Sequence, residues 1–550
     1  MTYGEVFTRR WVVEALLNLV GYDASADLPG KVLVEPAAGS GAFLITVVER
    51  LLQARRRQGA AFDELEGCIR SFDLQPGNVA RCRALIEAAL AADGCPAADA
   101  ARLAGKWVQA GDYLLDDRAD VKADVIVGNP PYIRLEDVPE GRGLEYRRRW
   151  TTMVGRADVY VGFFERALGS LKPDGRLGFI CADRWMRNQY GAALRAVVGD
   201  GYAVEHVWTM HGVDAFESQV AAYPAITVLR AGAQGPVVVA DTDASFGAPG
   251  ASALTAWAAS GTAGERDGQG FRAHRLPHWF PGNELWPTGS SARLALIEYL
   301  NDTFPPLHSS DTRTRVGIGV ATGADSVFIT SDPAVAEESR LLPLSMVRDV
   351  TTGRYDWTGH YLVNPWATDG QLVDLASYPR LRRHFEASAK QLRARHVAGK
   401  NPPDLWYRTI DKVSHDLTSR PKLLLQDMRT SINPVLEPGG HYPHHNLYYV
   451  VSETWDMEVL GGLLLSGVAQ AFIEAYAVRM RGATLRFQAQ YLKRIRVPDP
   501  VSIRPDDAQA LRAAFRGRDA AAATDAAARA YGIQDLMPGL NGVRTHPGRS

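Results

Sequence analysis

Through the first 230 residues, short apolar runs alternate with longer stretches of helical period. Residues 31–35 (KVLVE) read as a buried strand that breaks at Pro36-Ala37-Ala38-Gly39-Ser40-Gly41, and residues 42–53 then repeat as a helix. Residues 68–73 form a second strand-like run and 79–90 a helix. Residues 123–127 (ADVIV) form another strand, ending at Gly128-Asn129-Pro130-Pro131. A helix over 159–171, a turn at Pro173-Asp174-Gly175, a strand over 176–182 and a late strand over 225–230 complete the series. Strand–helix alternation of this kind predicts an α/β fold, with a mostly parallel sheet carrying helices on both faces.

The pattern changes near residue 232. Residues 246–270 are rich in Gly, Ala, Ser and Thr, the composition of a loop or linker. Residues 271–500 mix Trp, Tyr, Arg and Pro without long regular alternation, residues 506–530 read as a helix, and the end reads as a tail. The expected organisation is therefore 1–232, a linker or loop-rich insertion over 233–270, a second domain over 271–500 and a helical extension over 501–550. A length of 550 residues allows roughly three or four average domains.

Composition narrows the class. Hydrophobic residues make up 46% and charged residues 22%, the mix of a soluble protein with a sizeable core. The formal net charge of -1 carries no nucleic-acid signature, so any such surface must come from local clustering of Arg and Lys. Three clusters stand out: Arg147-Arg148-Arg149; Arg380, Arg382, Arg383, Lys390, Arg393 and Arg395; and Arg479, Arg481, Arg486, Lys493 and Arg494. Such runs are usually solvated faces, and a phosphate role is expected for some of them. Cys68, Cys82, Cys95 and Cys181 form no CxxC pair and read as reduced, buried thiols. No metal site is expected. Nothing resembles a signal peptide and no apolar run is long enough to span a bilayer, so a cytoplasmic location is expected.

Four short motifs carry chemistry. In Glu35 to Phe43 the glycines allow a tight strand-to-helix turn and close backbone approach of a ligand. A plain turn would explain the glycines alone, but Glu35 beside them suits a cationic amine better than a phosphate. Asp73, ending the next strand, can accept from ribose hydroxyls or simply cap the following helix. Asp112, in Gly111-Asp112-Tyr113, can bond an adenine amine with Tyr113 or Leu114 packed on the ring; a turn Asp before a packed Tyr is the plainer reading. Asn129-Pro130-Pro131-Tyr132 decides among these. The prolines lock the backbone, the Asn oxygen and the Pro130 carbonyl can point into one cavity, and Tyr132 offers a flat face, a set suited to a planar amine. Asn401-Pro402-Pro403 repeats the tripeptide, but Asp404 follows and no strand precedes it, so it reads as a loop.

Taken in order, these motifs resemble the amino-methylating DNA methyltransferases, specifically the gamma-order N6-adenine enzymes of the TaqI-like type. Gly4-Glu5-Val6-Phe7-Thr8 resembles the family's N-terminal motif for S-adenosylmethionine, and Glu35 to Phe43 its main cofactor loop. The resemblance implies cofactor contacts from Thr8, Glu35, Ala37, Gly39, Gly41, Asp73, Asp112 and Tyr113. It implies a catalytic group of Asn129, Pro130, Pro131 and Tyr132, with Phe216 as an aromatic stacking on a flipped base. Arg9 stands where the family usually has Pro. Residues 315–323 (RVGIGVATG) resemble the start of the family's target-recognition region and 482–495 (GATLRFQAQYLKRI) its closing segment, so residues 271–500 become a C-terminal mixed α/β target-recognition domain. The implied activity is transfer of a methyl group from S-adenosylmethionine to adenine N6 in double-stranded DNA. The implied setting is a monomer serving restriction-modification or phage defence beside a separately encoded endonuclease. No nuclease-like carboxylate cluster precedes the first motif, so a fused restriction activity is not expected. Two rivals remain: a methyltransferase for RNA or a protein glutamine amide, and a DNA-binding protein with an inactive methyltransferase fold.

Overall fold

The computed structural model describes residues 7–218, 223–280, 282, 284–399, 405–477 and 485–539. The chain divides into two compact units, Met1–Ser291 and Ala292–Ser550.

The first unit is built on a ten-stranded sheet. Its strands are β1 (Leu33–Glu35), β2 (Ile69–Asp73), β3 (Val108–Ala110), β4 (Ala123–Gly128), β5 (Leu171–Ala182), β6 (Tyr202–Thr209), β7 (Pro224–Ala231), β8 (Val237–Thr242), β9 (Glu265–Gly268) and β10 (Phe271–Leu276). They lie in the order β3-β2-β1-β4-β5-β7-β6-β8-β10-β9. β7 and β10 run against the other eight, so the sheet is mainly parallel.

Successive strand residues face opposite sides of a sheet, and the core divides accordingly. Leu33, Val125, Val127 and Ile180 enter one apolar cluster. Val34, Ile126, Phe179 and Cys181 enter the other. The first cluster is covered by α1 (Arg10–Leu19), α2 (Ala42–Gln58), α3 (Pro76–Ala92) and α4 (Ala97–Trp107), through Leu16, Val47, Ile86 and Leu103. The second is covered by Phe164 and Leu168 of a helix over Tyr160–Gly169 and by Leu194 and Val198 of one over Ala192–Gly199. Strands buried on both faces show continuous apolar runs, which is why 31–35 and 123–127 were readable as strands.

Gly178 of β5 lies under α1, where a Cβ would sit 2.5 Å from Leu16 Cδ2 and 2.6 Å from Val20 Cγ1. Gly178→Val therefore overpacks this layer. A loss of about 1–3 kcal/mol is expected, read as a lower midpoint in thermal or urea denaturation.

Two boundaries differ from expectation. Residues 233–270 are not a linker: they contain β8, a helix over Ala248–Ala259 and β9, all attached to the sheet. β10, expected to open the second domain, pairs with β8 and β9. The small-residue composition misled because Ala is a strong helix former, and Leu254 and Ala258 of that segment are buried. The first unit accordingly ends near 291 rather than 232.

The second unit contains two four-stranded sheets. One has the order Arg315–Ile318, Leu447–Val451, Lys422–Gln426, Val435–Glu437, all antiparallel, with Lys422 and Glu437 forming a fully buried ion pair. The other has the order Ile329–Thr330, Tyr361–Val363, Leu341–Ser345, Tyr442–Pro443. The expected helix over 506–530 is two helices, Pro505–Gly517 and Ala520–Tyr531, parted at Arg518, whose φ is 57°. They are not a separate extension, since Ala514 and Ala523 share a small core with Leu465 of the helix Met457–Leu465. Among the described residues no single helix is long and apolar enough to cross a membrane. Asn401, Pro402, Pro403, Asp404, Arg479, Arg481 and residues 482–484 lie outside the described residues, as do Gly4, Glu5 and Val6.

Candidate active site

Parallel strands place their carboxyl ends on one edge of the sheet, where open α/β folds bind ligands. Glu35 ends β1, Asp73 ends β2, Gly111 and Asp112 follow β3, and Asn129 follows β4. All of them line one cavity of about 150 Å³, with Thr8, Ala37, Gly39, Tyr113 and Pro131.

The loop after β1 turns on glycine. Gly39 has φ 52° and Gly41 has φ 92°, conformations that side chains with a Cβ rarely adopt. Gly41 is the residue before α2 and does not line the cavity. Asp73 holds the loop from the side: its Oδ2 accepts from the Gly39 N–H at 2.8 Å and its Oδ1 from the Gln75 N–H at 2.8 Å. Asp73 is thus both a turn-forming carboxylate and a wall of the cavity.

Glu35 is 1% exposed, and its Oε2 has no hydrogen-bond partner among the described residues. Burial pushes its carboxyl well above the usual carboxylate range, and the nearby Asp73 charge adds to the shift. A buried carboxylate without a cation is costly. The methionyl ammonium of S-adenosylmethionine is a cation of the right kind to offset that cost, so the residues present fit this cofactor.

Asp112 is positioned by contacts that the sequence did not reveal. Its Oδ1 accepts from the Leu114 N–H at 3.1 Å and its Oδ2 from the Tyr146 hydroxyl at 2.7 Å, with Arg142 Nε 3.6 Å away. Arg142 and Tyr146 stand one helical turn apart on α5 (Glu140–Arg149), and both line the cavity. Tyr113 stacks on Phe163, with centroids 5.4 Å apart, and Phe163 also lines the cavity. The only signal for α5 was its charge. Arg147 and Arg149, read as a basic run, instead bind their own chain: Arg147 donates to the carbonyls of Met153 and Gly155, and Arg149 pairs with Asp117 at 2.8 Å. Arg395 likewise donates to the carbonyls of Thr322, Trp406 and Arg408.

The segment at the start of the described chain closes the wall. Thr8 pairs with Phe216 in an antiparallel bridge, and the Glu217 N–H donates to the Phe7 carbonyl at 2.9 Å. Thr8 Oγ1 accepts from Asn129 Nδ2 at 3.2 Å, which orients the Asn129 amide. Arg9, in the place of the family's Pro, donates its N–H to the Ala215 carbonyl at 3.0 Å and pairs with Asp214 at 2.7 Å. A proline could make neither contact. Tyr132 and Phe216 meet edge to face at 6.3 Å. With Pro130, they are not among the residues that line the cavity. The Tyr132 hydroxyl is buried with no partner among the described residues, and burial holds it protonated.

Comparison with known proteins gives the family. The family profile of the Eco57I restriction-modification methylase matches residues 92–216. The chain is 41% identical over 534 residues to the type II methyltransferase M.PaeR7I of Pseudomonas aeruginosa, covering 96% of this chain and 92% of that one. It is 39% identical over 548 residues to the type II methyltransferase M.XhoI of Xanthomonas vasicola, covering 97% of each. Among solved structures, the type IIL restriction-modification enzyme MmeI in complex with DNA shares the fold, with a TM-score of 0.54 at 12% identity over 98% of this chain and 74% of that one.

These relatives define the chain as a methyltransferase that takes S-adenosylmethionine as its methyl donor. The chain belongs to the type II DNA methyltransferases of restriction-modification systems.

Proposed function

We propose that the protein methylates the N6 amine of a flipped-out adenine in double-stranded DNA, as a monomeric modification enzyme beside a separately encoded endonuclease. The observation that carries this reading is the placement of Asn129 directly after β4, on the cavity lined by Glu35, Gly39, Asp73 and Asp112. When bound, S-adenosylmethionine supplies a methyl group on a sulfonium.

The adenine amine is a poor nucleophile because its lone pair is delocalised into the ring. Asn129 Oδ1 and the Pro130 carbonyl accept hydrogen bonds from its two N–H groups, turn the nitrogen toward tetrahedral geometry and localise that lone pair. Their fixed dipoles also stabilise the positive charge that develops on nitrogen. The Thr8 contact keeps the Asn129 amide in place before the substrate arrives. Flipping the nucleotide costs a few kcal/mol, and stacking on Tyr132 and Phe216 returns about 1–3 kcal/mol per base. Residues 315–323 and 485–495 belong to the part of the chain that reads the target sequence. Among its basic side chains, Arg380, Arg383 and Lys390 are exposed and suited to phosphate contacts.

The test is incubation with labelled S-adenosylmethionine and, separately, DNA, RNA and total protein, followed by nucleoside analysis. Label in N6-methyladenine from DNA is the expected result. Label on cytosine, RNA or a glutamine amide overturns the assignment, and failure to bind the cofactor favours an inactive DNA-binding protein.

A further inference from the structure

The second unit brings together three side chains that methyl transfer does not use. Val320 pairs in parallel with His444, the Val320 N–H donates to the Pro443 carbonyl at 2.9 Å, and the His445 N–H donates to the Val320 carbonyl at 3.1 Å. The approach is close enough that a Cβ on Gly319 would sit 2.2 Å from the Pro443 carbonyl oxygen. This pins the turn at 442–447 against the loop at 319–325. As a result, one ligand-type atom each of Asp325, His444 and His445 lie within 4.8 Å of one another.

His444 Nε2 is 3.1 Å from Asp325 Oδ2, and the two imidazole centroids are 4.0 Å apart. His444 is 2% exposed, and Nδ1 of both histidines is buried without a hydrogen-bond partner among the described residues. A simple His–Asp hydrogen bond accounts for the first contact. It does not account for a second imidazole held against the first with a buried nitrogen unsatisfied. A shared cation does. Donor atoms bound to one zinc at about 2.0–2.2 Å lie roughly 3–3.5 Å from each other, which the Nε2–Oδ2 separation matches. The other Asp325 oxygen accepts the hydroxyl of the buried Thr322, the kind of outer contact that fixes a metal-binding carboxylate. Two imidazoles and one carboxylate favour a borderline transition cation over magnesium or calcium.

We propose that Asp325, His444 and His445 bind one divalent transition-metal cation, zinc by preference, which fastens the loop at 319–325 to the turn at 442–447. The sequence concealed the site because Asp325 and His444 are 119 positions apart.

The experiment uses the full, tag-free chain, stripped with a chelator, loaded with zinc and desalted before the metal is counted. One zinc retained per chain is expected. Cobalt in its place should give the intense visible absorption of a four-coordinate site, and excess magnesium should not displace either. His445→Ala and Asp325→Asn should lose the retained zinc, while Thr322→Val should weaken it by about 10-fold. Circular dichroism shows whether each variant is folded. The proposal is overturned if the wild-type chain retains no zinc, a result that needs no variant, or if folded His445→Ala retains as much as wild type.

Discussion

Asn129→Ala is expected to bind S-adenosylmethionine as the wild type does and to lose methyl transfer by at least about 10²–10³-fold, the usual effect of deleting one placed dipole from a reacting centre. The separation of the two readouts follows from position. Asn129 comes after β4, whereas the carboxylates suited to the cofactor end β1 and β2 or follow β3. Tritium transfer to DNA measures the loss and titration calorimetry measures the affinity. Asp73→Ala should give the opposite pattern, because it frees the Gly39 N–H that Asp73 holds at 2.8 Å and weakens cofactor binding first. Full activity in Asn129→Ala would sink the proposed chemistry.

Glu35→Gln should weaken S-adenosylmethionine by about 10–100-fold, equivalent to a charge-assisted hydrogen bond of about 1.5–3 kcal/mol. It should also abolish the pH dependence of binding expected of the wild type. Burial raises the Glu35 pKa in the folded protein, so the side chain by itself favours the neutral acid. The stability this contributes is present below the ordinary carboxylate pKa and drains away as pH climbs to the raised value. An ammonium partner reverses the preference. Cofactor affinity should therefore rise with pH across that interval, and binding within it should release a proton. Calorimetry in buffers of different ionisation enthalpy reads the proton directly. A wild-type affinity that is flat with pH, or that falls as pH rises through this interval, contradicts the role given to Glu35.

The parts of the first unit that were legible share a physical cause. β1 and β4 are mostly buried and read as short apolar runs, β2 is carried by Ile69 and Phe72, and each ends where Gly, Pro or an acid interrupts the pattern. The cavity stands at those interruptions and at the end of β3, where Glu35, Gly39, Asp73, Asp112 and Asn129, all named from the sequence, line it. α5 could not, since Gly143 and Tyr146 are its only buried residues and its Arg run pointed toward DNA. The end of the sheet was hidden for a different reason: β9 is Glu-Arg-Asp-Gly, all exposed, so it has no apolar run at all and joins the sheet through its pairing with β10. Contacts between distant residues, such as Tyr146 with Asp112, carry no local pattern.

The hydrogen bond from Asn129 to Thr8 and the bridge from Thr8 to Phe216 span 121 and 208 positions of the chain. Closing loops of that length carries an entropy cost that contacts formed within the intervening strands help to offset. During synthesis, a polypeptide released before residue 216 lacks the backbone partner that holds Thr8 in its bridge. The Thr8 contact that orients Asn129 is thus secured from the far end of the same unit.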